Sequence, residues 1–478
     1  MYDVIVAGGG VIGTSVLAAL SHIKIKTLLL EKEEDVSCGC SKANSGIVHA
    51  GYDAEEGTLK ARFNVRGAEM YPELCRKFHV PYKNTGSLVL APKDRINELE
   101  KLYERGIKNG VSGLEIVEGE SLKKLEPNIA EGIEFGLYAP TAGIVSPYGF
   151  TIAQAQHAII NGAEILTEKE IVSVSETEEG FSVGTADGSK YKCRVFINCA
   201  GYGSKEISDM LGEELPPVSY KRGDYIILDR TEHDKFRHTC FPLPDENGKG
   251  ILVSPTADGN VILGPTGFSV DSGTDTAVAE DGLALIRSSV PKMMRNVDFR
   301  KGIRVFAGVR CSSGRDFVIG NGKNPDYIYL QGICSPGLTA APAIAEYVAE
   351  ELLGKTSLKA DKKDEREIKY LPARPITREL SVAEWQELAR KNPEYAVIVC
   401  RCERITEGEI LDVLREPLPP KSADALKRRV RTSMGRCQGG FCTPRVMEIL
   451  ADFYGLPPES VTKCGKGSEI VTADVIED

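Results

Sequence analysis

The sequence has little of what marks membrane, exported or nucleic-acid-binding proteins. Its 478 residues contain no apolar run of about 18 residues, so no membrane-spanning helix is predicted. No basic stretch precedes the first apolar residues, and no signal peptide is visible. Basic residues are outnumbered by acidic ones, 59 to 69, and the net charge of −10 argues against binding to nucleic acid, whose phosphates need a basic surface. We expect a cytoplasmic protein whose partners are small molecules or other proteins.

Internal repeats and low-complexity tracts are also lacking, and what is present is typical of a globular chain. Apolar residues make up 42% and charged residues 27%, enough for a sizeable core. The amino-acid composition is uniform as far as Gly354, and the segment 355–375 is rich in charged residues and prolines. The sequence after this segment contains five of the thirteen cysteines. We therefore predict one large region over 1–354, a linker over 355–394 and a C-terminal domain over 395–478.

The first 31 residues carry a dinucleotide-binding pattern. A buried strand is predicted before the glycine turn 8–13, an apolar helix after it, and then a second strand that ends at Glu31. The glycines let the backbone approach a pyrophosphate at the helix N-terminus, where the dipole favours anions. Glu31 is placed to accept hydrogen bonds from ribose hydroxyls. The residues predicted to hold the dinucleotide here are Gly8, Gly10, Val11, Ile12, Gly13 and Glu31.

Three later segments bear on which dinucleotide is bound. The first is Ser41-Lys42-Ala43-Asn44-Ser45-Gly46-Ile47-Val48-His49-Ala50-Gly51, the second is Ala307-Gly308-Val309-Arg310, and the third is Ser335-Pro336-Gly337-Leu338-Thr339. The third places a glycine turn at the start of an apolar helix. The N-terminal dipole of that helix would stabilise negative charge on a reduced flavin.

Together these segments resemble the glycine-oxidase-like group of FAD-dependent oxidoreductases, in the D-amino-acid-oxidase superfamily. The likeness is greatest to FAD-dependent glycerol-3-phosphate dehydrogenases of the anaerobic type and to L-2-hydroxyglutarate oxidases. The resemblance implies an α/β fold in which an FAD-binding Rossmann-like domain is interleaved with an antiparallel-sheet substrate domain. It also implies further cofactor contacts, namely Ala43, Asn44, Ser45 and Gly46 at the flavin, Ile171 at the adenine, Gly201 near the dinucleotide, and Gly308, Gly337, Leu338 and Thr339.

Four cysteines of the tail have the spacing of a metal site. Cys400 and Cys402 form a Cys-x-Cys pair, and 35 positions after Cys402 come Cys437 and Cys442. Without an export signal, cysteine-rich sequence suggests reduced thiols and metal. Four thiolates can hold an iron–sulphur centre or a zinc ion, but zinc more often uses Cys-x2-Cys, so the spacing favours iron. Zinc and bare thiols remain alternatives.

The segment from about Tyr395 to Ile470 resembles the bacterioferritin-associated-ferredoxin-like [2Fe–2S] domain, a small helical module. The position of Cys464 does not fit a ligand spacing, and we interpret it as a cysteine that does not bind the metal. The basic run 427–431 precedes Cys437. We favour a solvated helix face for this run, and the alternative is a docking patch for an acidic electron-transfer partner.

Oxidation of a secondary alcohol at a flavin needs a hydride acceptor, a base and an anchor for the anionic end of the substrate. His49 is the histidine in a flavin-proximal motif, and an unperturbed imidazole titrates near pH ~6.5. It acts as the base, or it only packs against the flavin. Arg310 resembles the family's anion-binding arginine, although a structural salt bridge is the alternative. Arg315 offers a second grip unless Asp316 neutralises it.

Other polar residues near these motifs are less informative. Lys221 and Arg222 lie near the active site or are simply exposed. Cys38 and Cys40 precede the flavin-lining segment, and we interpret them as structural because a redox pair is more often Cys-x-x-Cys.

The predicted function is oxidation of sn-glycerol 3-phosphate to dihydroxyacetone phosphate, with electrons leaving through the [2Fe–2S] centre. A one-electron centre favours a dehydrogenase over an oxidase. The resemblance implies partner subunits, such as a second flavoprotein or a membrane-linked chain, so that any membrane contact would be through a partner. The alternatives are L-2-hydroxyglutarate or another 2-hydroxy acid as substrate, and a non-catalytic electron-transfer subunit.

Overall fold

Strands and helices alternate from the first residues of this computed structural model, which describes residues 1–244 and 250–471. The strands are β1 (Tyr2–Ala7), β2 (Thr27–Leu30), β3 (Ile47–Val48), β4 (Tyr82–Lys83), β5 (Ser87–Pro92), β6 (Glu115–Glu118), β7 (Ile133–Ala139), β8 (Gly143–Val145), β9 (Glu164–Leu166), β10 (Ile171–Thr177), β11 (Gly180–Thr185), β12 (Lys190–Asn198), β13 (Ser219–Leu228), β14 (Thr239–Pro242), β15 (Leu252–Pro255), β16 (Val261–Gly264), β17 (Phe268–Val270), β18 (Gly302–Ser312), β19 (Val318–Asn321), β20 (Tyr327–Gln331), β21 (Ile398–Cys400) and β22 (Ile405–Thr406). The helices are α1 (Val11–Leu20), α2 (Leu59–Phe78), α3 (Ile96–Lys108), α4 (Gly119–Leu125), α5 (Pro147–Ile160), α6 (Ser204–Met210), α7 (Glu280–Ser289), α8 (Gly337–Tyr347), α9 (Val382–Lys391), α10 (Glu407–Leu414), α11 (Ala423–Val430) and α12 (Thr443–Tyr454).

The first sheet has a parallel centre. Strand β1 lies between β2 and β12 and runs parallel to both, β9 follows β2, and β20 pairs in parallel with the end of β12. The hairpin β10–β11 and strand β19 add antiparallel edges. Strand β2 is buried along its whole length, as expected for parallel strands covered on both faces. Helices α1 and α8 pack in the same apolar cluster as β1, which places their N-termini at its carboxyl end.

The second sheet has nine strands and is antiparallel apart from the pair β5–β14. Its strands come from two stretches of the chain, β5 to β7 and β13 to β18, which are separated by strands of the first sheet. The chain returns to the first sheet with β19, β20 and α8. The predicted α/β fold, with a dinucleotide-binding domain interleaved with an antiparallel-sheet domain, is confirmed.

The predicted helical C-terminal unit is also confirmed. The two-stranded β21–β22 and helices α10, α11 and α12 enclose a separate apolar core that includes Val399, Ile410, Leu426, Val446 and Leu450. The last seven positions of the predicted C-terminal domain, 472–478, lie outside the described residues. Within the described ranges no helix is both long and apolar enough to cross a membrane.

The segment predicted as a linker contains structure of its own. Helix α9 begins at a capping box in which Ser381 and Glu384 satisfy each other's backbone N–H groups. Further upstream, the backbone N–H of Lys363 donates to the carbonyl oxygen of His22, and the Asn161 side chain donates to the carbonyl oxygen of Lys369. The segment therefore lies against the first domain. The domain boundaries themselves stay a prediction.

Candidate functional site

A cavity of about 890 Å³ opens between the two sheets. Its wall is formed where β1 and β2 end, where α1 and α8 begin, and where β13 and β18 of the second sheet face them. Most residues singled out from the sequence line it, namely Gly8, Gly10, Val11, Ile12, Glu31, Ala43, Asn44, Ser45, His49, Ile171, Gly201, Arg310, Gly337 and Leu338. Segments more than 300 positions apart thus meet at one site.

Four predicted cofactor residues lie behind this wall rather than on it. A Cβ on Gly13 would come 1.9 Å from the Gly8 carbonyl oxygen, and a Cβ on Gly308 would come 2.0 Å from the Ala43 carbonyl oxygen. Gly46 has a φ of +66°, and Thr339 is fully buried. These residues allow close backbone packing that shapes the cavity. Their direct contact with a cofactor stays a prediction.

Glu31 is fixed at the end of β2 by backbone groups. Its Oε2 accepts a hydrogen bond from the Gly9 N–H at 2.5 Å, and its Oε1 accepts one from the Glu33 N–H at 2.9 Å. Burial raises the pKa of Glu31 above its ordinary value, while the two backbone donors act in the opposite direction. These bonds hold the carboxyl group in place at the edge of the cavity that Glu31 lines.

Ser41 opens the flavin-lining segment 41–51 but was not predicted as a site residue. Its Oγ accepts a hydrogen bond from the Val11 N–H at 2.8 Å, in the first turn of α1. The hydroxyl satisfies a backbone donor that the helix itself cannot pair. Ser41 also lines the cavity, so the loop after β2 and the start of α1 are held together at the cavity wall.

His49 stands between the large cavity and a smaller one of about 300 Å³, because it lines both. Its backbone N–H donates to Thr339 Oγ1 at 3.0 Å, and its carbonyl oxygen accepts from Asn64 Nδ2 at 2.5 Å. The imidazole lies 5.8 Å from the ring of Phe241, centroid to centroid. With both backbone groups tied, the ring projects from a fixed point next to the large cavity.

Arg310 and Lys221 form a cationic pair on the second sheet. They are direct partners in the antiparallel register of β13 and β18, and both line the large cavity. Arg310 Nη2 donates to the Thr266 carbonyl oxygen at 2.9 Å. Among the described residues neither cation has a carboxylate within 4.0 Å. This wall is suited to bind an anion.

Tyr225 joins this wall and was not predicted. It follows Lys221 by four positions on β13, so the two side chains project from the same face of the strand. Burial raises the pKa of Tyr225 to about 12, and the charge of Arg310 acts in the opposite direction. Arg222, on the other face, pairs with buried Asp224 at 3.3 Å. Alternate residues of a strand face the same side, and this periodicity in β13 could have predicted that Tyr225 lies on the same face as Lys221.

Arg315 lies apart from Arg310. Its side chain is 84% exposed, pairs with Glu55 at 2.7 Å, and lines the smaller cavity. Asp316 does not neutralise it, because the Asp316 carboxylate accepts from the backbone N–H groups of Leu59 and Lys60 at the start of α2. The structure therefore does not bring the two arginines into one cavity, and a second grip by Arg315 stays a prediction.

The cysteines near the flavin-lining segment have the properties of structural thiols. Burial raises the pKa of Cys38 to about 12 and that of Cys40 to about 11. The Cys40 thiol donates to the carbonyl oxygen of Val309 on β18. Thiols with such pKa values stay protonated near neutral pH and are poor nucleophiles.

The four tail cysteines meet as two pairs. The thiols of the buried Cys400 and Cys442 are neighbours, and so are those of the exposed Cys402 and Cys437. Cys437 also interacts electrostatically with Cys442, so the pairs adjoin. The neighbouring Cys400 thiol lowers the pKa of Cys442, and the Cys442 thiol raises that of Cys400. Two pairs of thiols suit a two-iron cluster, because each iron takes two thiolates from the protein.

Two neighbours complete this site. Gly435 lets the two cysteine loops approach, since a Cβ there would come 2.2 Å from Cys402 Cβ. Ser433 Oγ lies 3.5 Å from Cys442 Sγ. Cys464 has a different environment: it is exposed, and its backbone N–H donates to Ser468.

Both sequence-based interpretations of the basic run 427–431 were wrong. Arg428 and Arg429 are buried against Asp35, which follows β2 in the dinucleotide-binding domain. Arg429 reaches both carboxylate oxygens of Asp35, at 2.8 and 3.0 Å, and Arg428 Nη2 reaches one at 2.8 Å. Burial raises the pKa of Asp35, but the charges of Arg429 and Arg428 outweigh it and leave that pKa below its ordinary value. The run is an internal docking surface.

A second ionic cluster lies beside the cysteines. Arg431 bonds Asp258 of the second-sheet domain at 2.8 Å and Glu403 at 2.9 Å. Arg230 reaches the same Glu403 carboxylate at 2.7 Å, and Arg378 reaches Asp258 at 3.3 Å. Because Glu403 follows Cys402 directly, these contacts fix the cysteine loop against the large region.

Comparison with known proteins agrees with this geometry. Residues 3–351 match the family model described as FAD dependent oxidoreductase, and residues 398–452 match that of the BFD-like [2Fe-2S] binding domain. A glycerol 3-phosphate dehydrogenase of Caloramator mitchellensis is 41% identical over 99% of this chain and 98% of its own length. A mitochondrial L-2-hydroxyglutarate dehydrogenase of Nematostella vectensis is 32% identical over 63% of this chain and 68% of its own length.

Among solved structures, a dithionite-reduced L-alpha-glycerophosphate oxidase of Mycoplasma pneumoniae with FAD bound has the same fold. It is 29% identical, with a TM-score of 0.73, over 78% of this chain and 99% of that one. These similarities confirm the resemblance inferred from the sequence motifs. They also confirm the predicted cofactors, FAD and a [2Fe–2S] cluster, over the alternatives of zinc and bare thiols.

Proposed function

Because the chain belongs to the family of FAD-dependent oxidoreductases and contains a BFD-like [2Fe–2S] binding domain, we propose that it oxidises sn-glycerol 3-phosphate to dihydroxyacetone phosphate. The observation that carries this proposal is the pair Arg310–Lys221, which faces the cofactor cavity without a carboxylate neighbour among the described residues. Likeness along the whole chain to the Caloramator glycerol 3-phosphate dehydrogenase supports the substrate.

Each part of the substrate has a candidate group in the cavity. A guanidinium fork matches two oxygens of a phosphate, so Arg310 would anchor the anionic end with Lys221 beside it. The neighbouring carbinol loses a hydride and a proton when it becomes a ketone. His49, which lines the cavity, would take that proton. FAD, when bound, supplies the hydride acceptor.

The residues proposed to hold FAD are those predicted from the sequence, Gly8, Gly10, Val11, Ile12, Gly13, Glu31, Ala43, Asn44, Ser45, Gly46, Ile171, Gly201, Gly308, Gly337, Leu338 and Thr339. Helix α8 begins at the cavity with Gly337, so its positive end faces the site. An anionic group there gains from unpaired N–H donors. This favours a cofactor that becomes negatively charged on reduction.

Electrons are proposed to leave through the C-terminal domain, with Cys400, Cys402, Cys437 and Cys442 as cluster ligands. A [2Fe–2S] centre accepts one electron at a time, which suits transfer to a protein partner better than direct reaction with oxygen. The partner is proposed to be a second flavoprotein or a membrane-linked chain, with any membrane contact made through it. The proposed domains are 1–354, 355–394 and 395–478.

The proposal is tested by an anaerobic visible spectrum before and after addition of glycerol 3-phosphate. Bleaching of the flavin band near ~450 nm, together with loss of the cluster absorbance, is expected. If only L-2-hydroxyglutarate bleaches the flavin, the proposed substrate is wrong and the assignment as an FAD-dependent dehydrogenase stands. If neither compound bleaches the flavin, the proposed function fails and the electron-transfer subunit becomes the leading alternative.

Replacement of His49 by glutamine is expected to lower kcat by about 10²–10⁴, the usual contribution of a general base. A base works only when deprotonated, so wild-type kcat/KM should rise with pH. The variant should lose that rise. Stopped-flow flavin reduction at several pH values measures both effects. If the variant keeps the wild-type pH profile, His49 serves only to pack the site.

A further inference from the structure

We propose that the surface around Cys402 and Cys437 is the docking site for an acidic one-electron carrier protein. This surface, here the cluster face, comprises Arg401, Cys402, Arg404, Arg436, Cys437 and Phe441. The inference rests on the proposed function, in which electrons leave through the [2Fe–2S] centre. It goes further by assigning the exit face and the charge of the partner.

The cysteines are exposed unequally. Cys400 and Cys442 are buried in the core of the C-terminal domain, whereas Cys402 and Cys437 are exposed. A centre held by all four therefore has two thiols towards the interior and two towards solvent. Since electron transfer weakens steeply with distance, an acceptor protein gains most by docking on the exposed pair.

An exposed aromatic side chain lies next to this pair. Phe441 precedes Cys442 and is 55% exposed. The guanidinium carbon of Arg401 lies 4.3 Å from the centroid of its ring, in a cation–π contact that holds both side chains at the surface. Exposed aromatic residues and arginines are the types enriched at protein–protein interfaces.

The cluster face is basic on an acidic protein. Arg401 and Arg404 have no carboxylate within 4.0 Å among the described residues, and Arg436 pairs with Asp229 only at 3.4 Å. The whole chain carries a net charge of −10. An acidic carrier is therefore repelled by most of the molecule and attracted here, which orients it productively.

The other basic element of this domain is not available to a partner. Arg428 and Arg429 are buried in ion pairs with Asp35, and Arg431 is buried in ion pairs with Asp258 and Glu403. Those arginines hold the domain to the rest of the chain. The cluster face combines exposed basic side chains with exposed cysteines of the cluster site.

The test uses the holoenzyme, reduced photochemically under anaerobic conditions and mixed with an oxidised plant-type [2Fe–2S] ferredoxin as the acidic probe. Arg401→Glu is expected to lower the second-order rate constant about 10-fold at low salt, a typical size for electrostatic steering. The difference should disappear at high salt, where charges are screened. Lys101→Glu, the same charge change on the exposed face of α3, is the matched control and should leave the rate unchanged.

Binding is measured separately by titration calorimetry of the oxidised proteins. Arg401→Glu should weaken ferredoxin binding at low salt only, and Phe441→Ala should weaken it at every salt concentration. Equal affinities for wild type, Arg401→Glu and Lys101→Glu would overturn the proposal. So would tighter binding of a basic cytochrome c than of the ferredoxin.

Two further measurements distinguish docking at the cluster face from an effect on the cluster itself and from failure of the proposed substrate. An uncharged quinone should be reduced at the same rate by wild type and Arg401→Glu, and an equal loss with quinone would place the effect at the cluster and overturn docking. Because the enzyme is reduced by light, failure of glycerol 3-phosphate to bleach the flavin would remove the proposed substrate and leave the docking result standing.

Discussion

Arg310→Met is expected to lower kcat/KM for glycerol 3-phosphate by about 10²–10³, mostly through a higher KM. A hydrogen bond to a charged group contributes about 1.5–3 kcal/mol, and a bidentate anion contact contains two of them. Methionine keeps the unbranched aliphatic part of the side chain and removes the charged guanidinium group. Arg310→Lys should recover part of the loss, since an ammonium group attracts the anion but cannot form the fork. Steady-state kinetics with an artificial acceptor gives the two parameters.

Arg315→Met is the comparison variant, because Arg315 lies at the smaller cavity and pairs with Glu55. Its loss should be far smaller than that of Arg310→Met. A larger loss in Arg315→Met would move the anion site to the smaller cavity. Comparable losses would mean that both arginines grip the substrate, as the sequence motif first suggested.

Asp35→Ala is expected to separate flavin reduction from cluster reduction. The change leaves Arg428 and Arg429 buried without their shared carboxylate, and breaking a buried pair in this way costs about 3–5 kcal/mol. The C-terminal domain should then be held less firmly. Substrate should still bleach the flavin, whereas the cluster should be reduced at least about 10-fold more slowly in the same anaerobic mixing experiment.

The matched control is Glu178→Ala, which removes one negative charge from the exposed turn between β10 and β11. Both reductions should keep their wild-type rates in this control. Limited proteolysis of the segment 355–394 should be faster in Asp35→Ala alone. If cluster reduction keeps its rate in Asp35→Ala, the Asp35 contact is not what positions the domain.

The sequence was sufficient wherever neighbouring residues determine the structure. The turn 8–13 and Glu31 belong to one strand–helix–strand unit, so local spacing alone places them together. The four tail cysteines lie within one small domain, two at or just after the end of β21 and two just before α12. The ligand set that their spacing indicates stays a prediction. These are features in which hydrophobic pattern, turn residues and chemistry agree.

What could not be predicted depends on contacts between distant segments. Lys221 meets Arg310 only because β13 and β18 pair in one particular register, and a shift by one residue would turn both side chains away. Arg310 and Arg315 have similar neighbours in sequence, but β18 ends at Ser312. Arg310 therefore lies on the strand at the large cavity, and Arg315 lies beyond it at the smaller one. The partner of Arg429 is nearly 400 positions upstream, and nothing in either local sequence identifies the other.

That last contact has a consequence for the growing chain. Asp35 is synthesised 393 positions before Arg428 and 394 positions before Arg429, so its carboxylate has neither of these partners until the chain has grown by that length. Contacts of such long sequence separation form late and slowly. The contact between the dinucleotide-binding domain and helix α11 therefore forms only after the segment with Arg428 and Arg429 has left the ribosome.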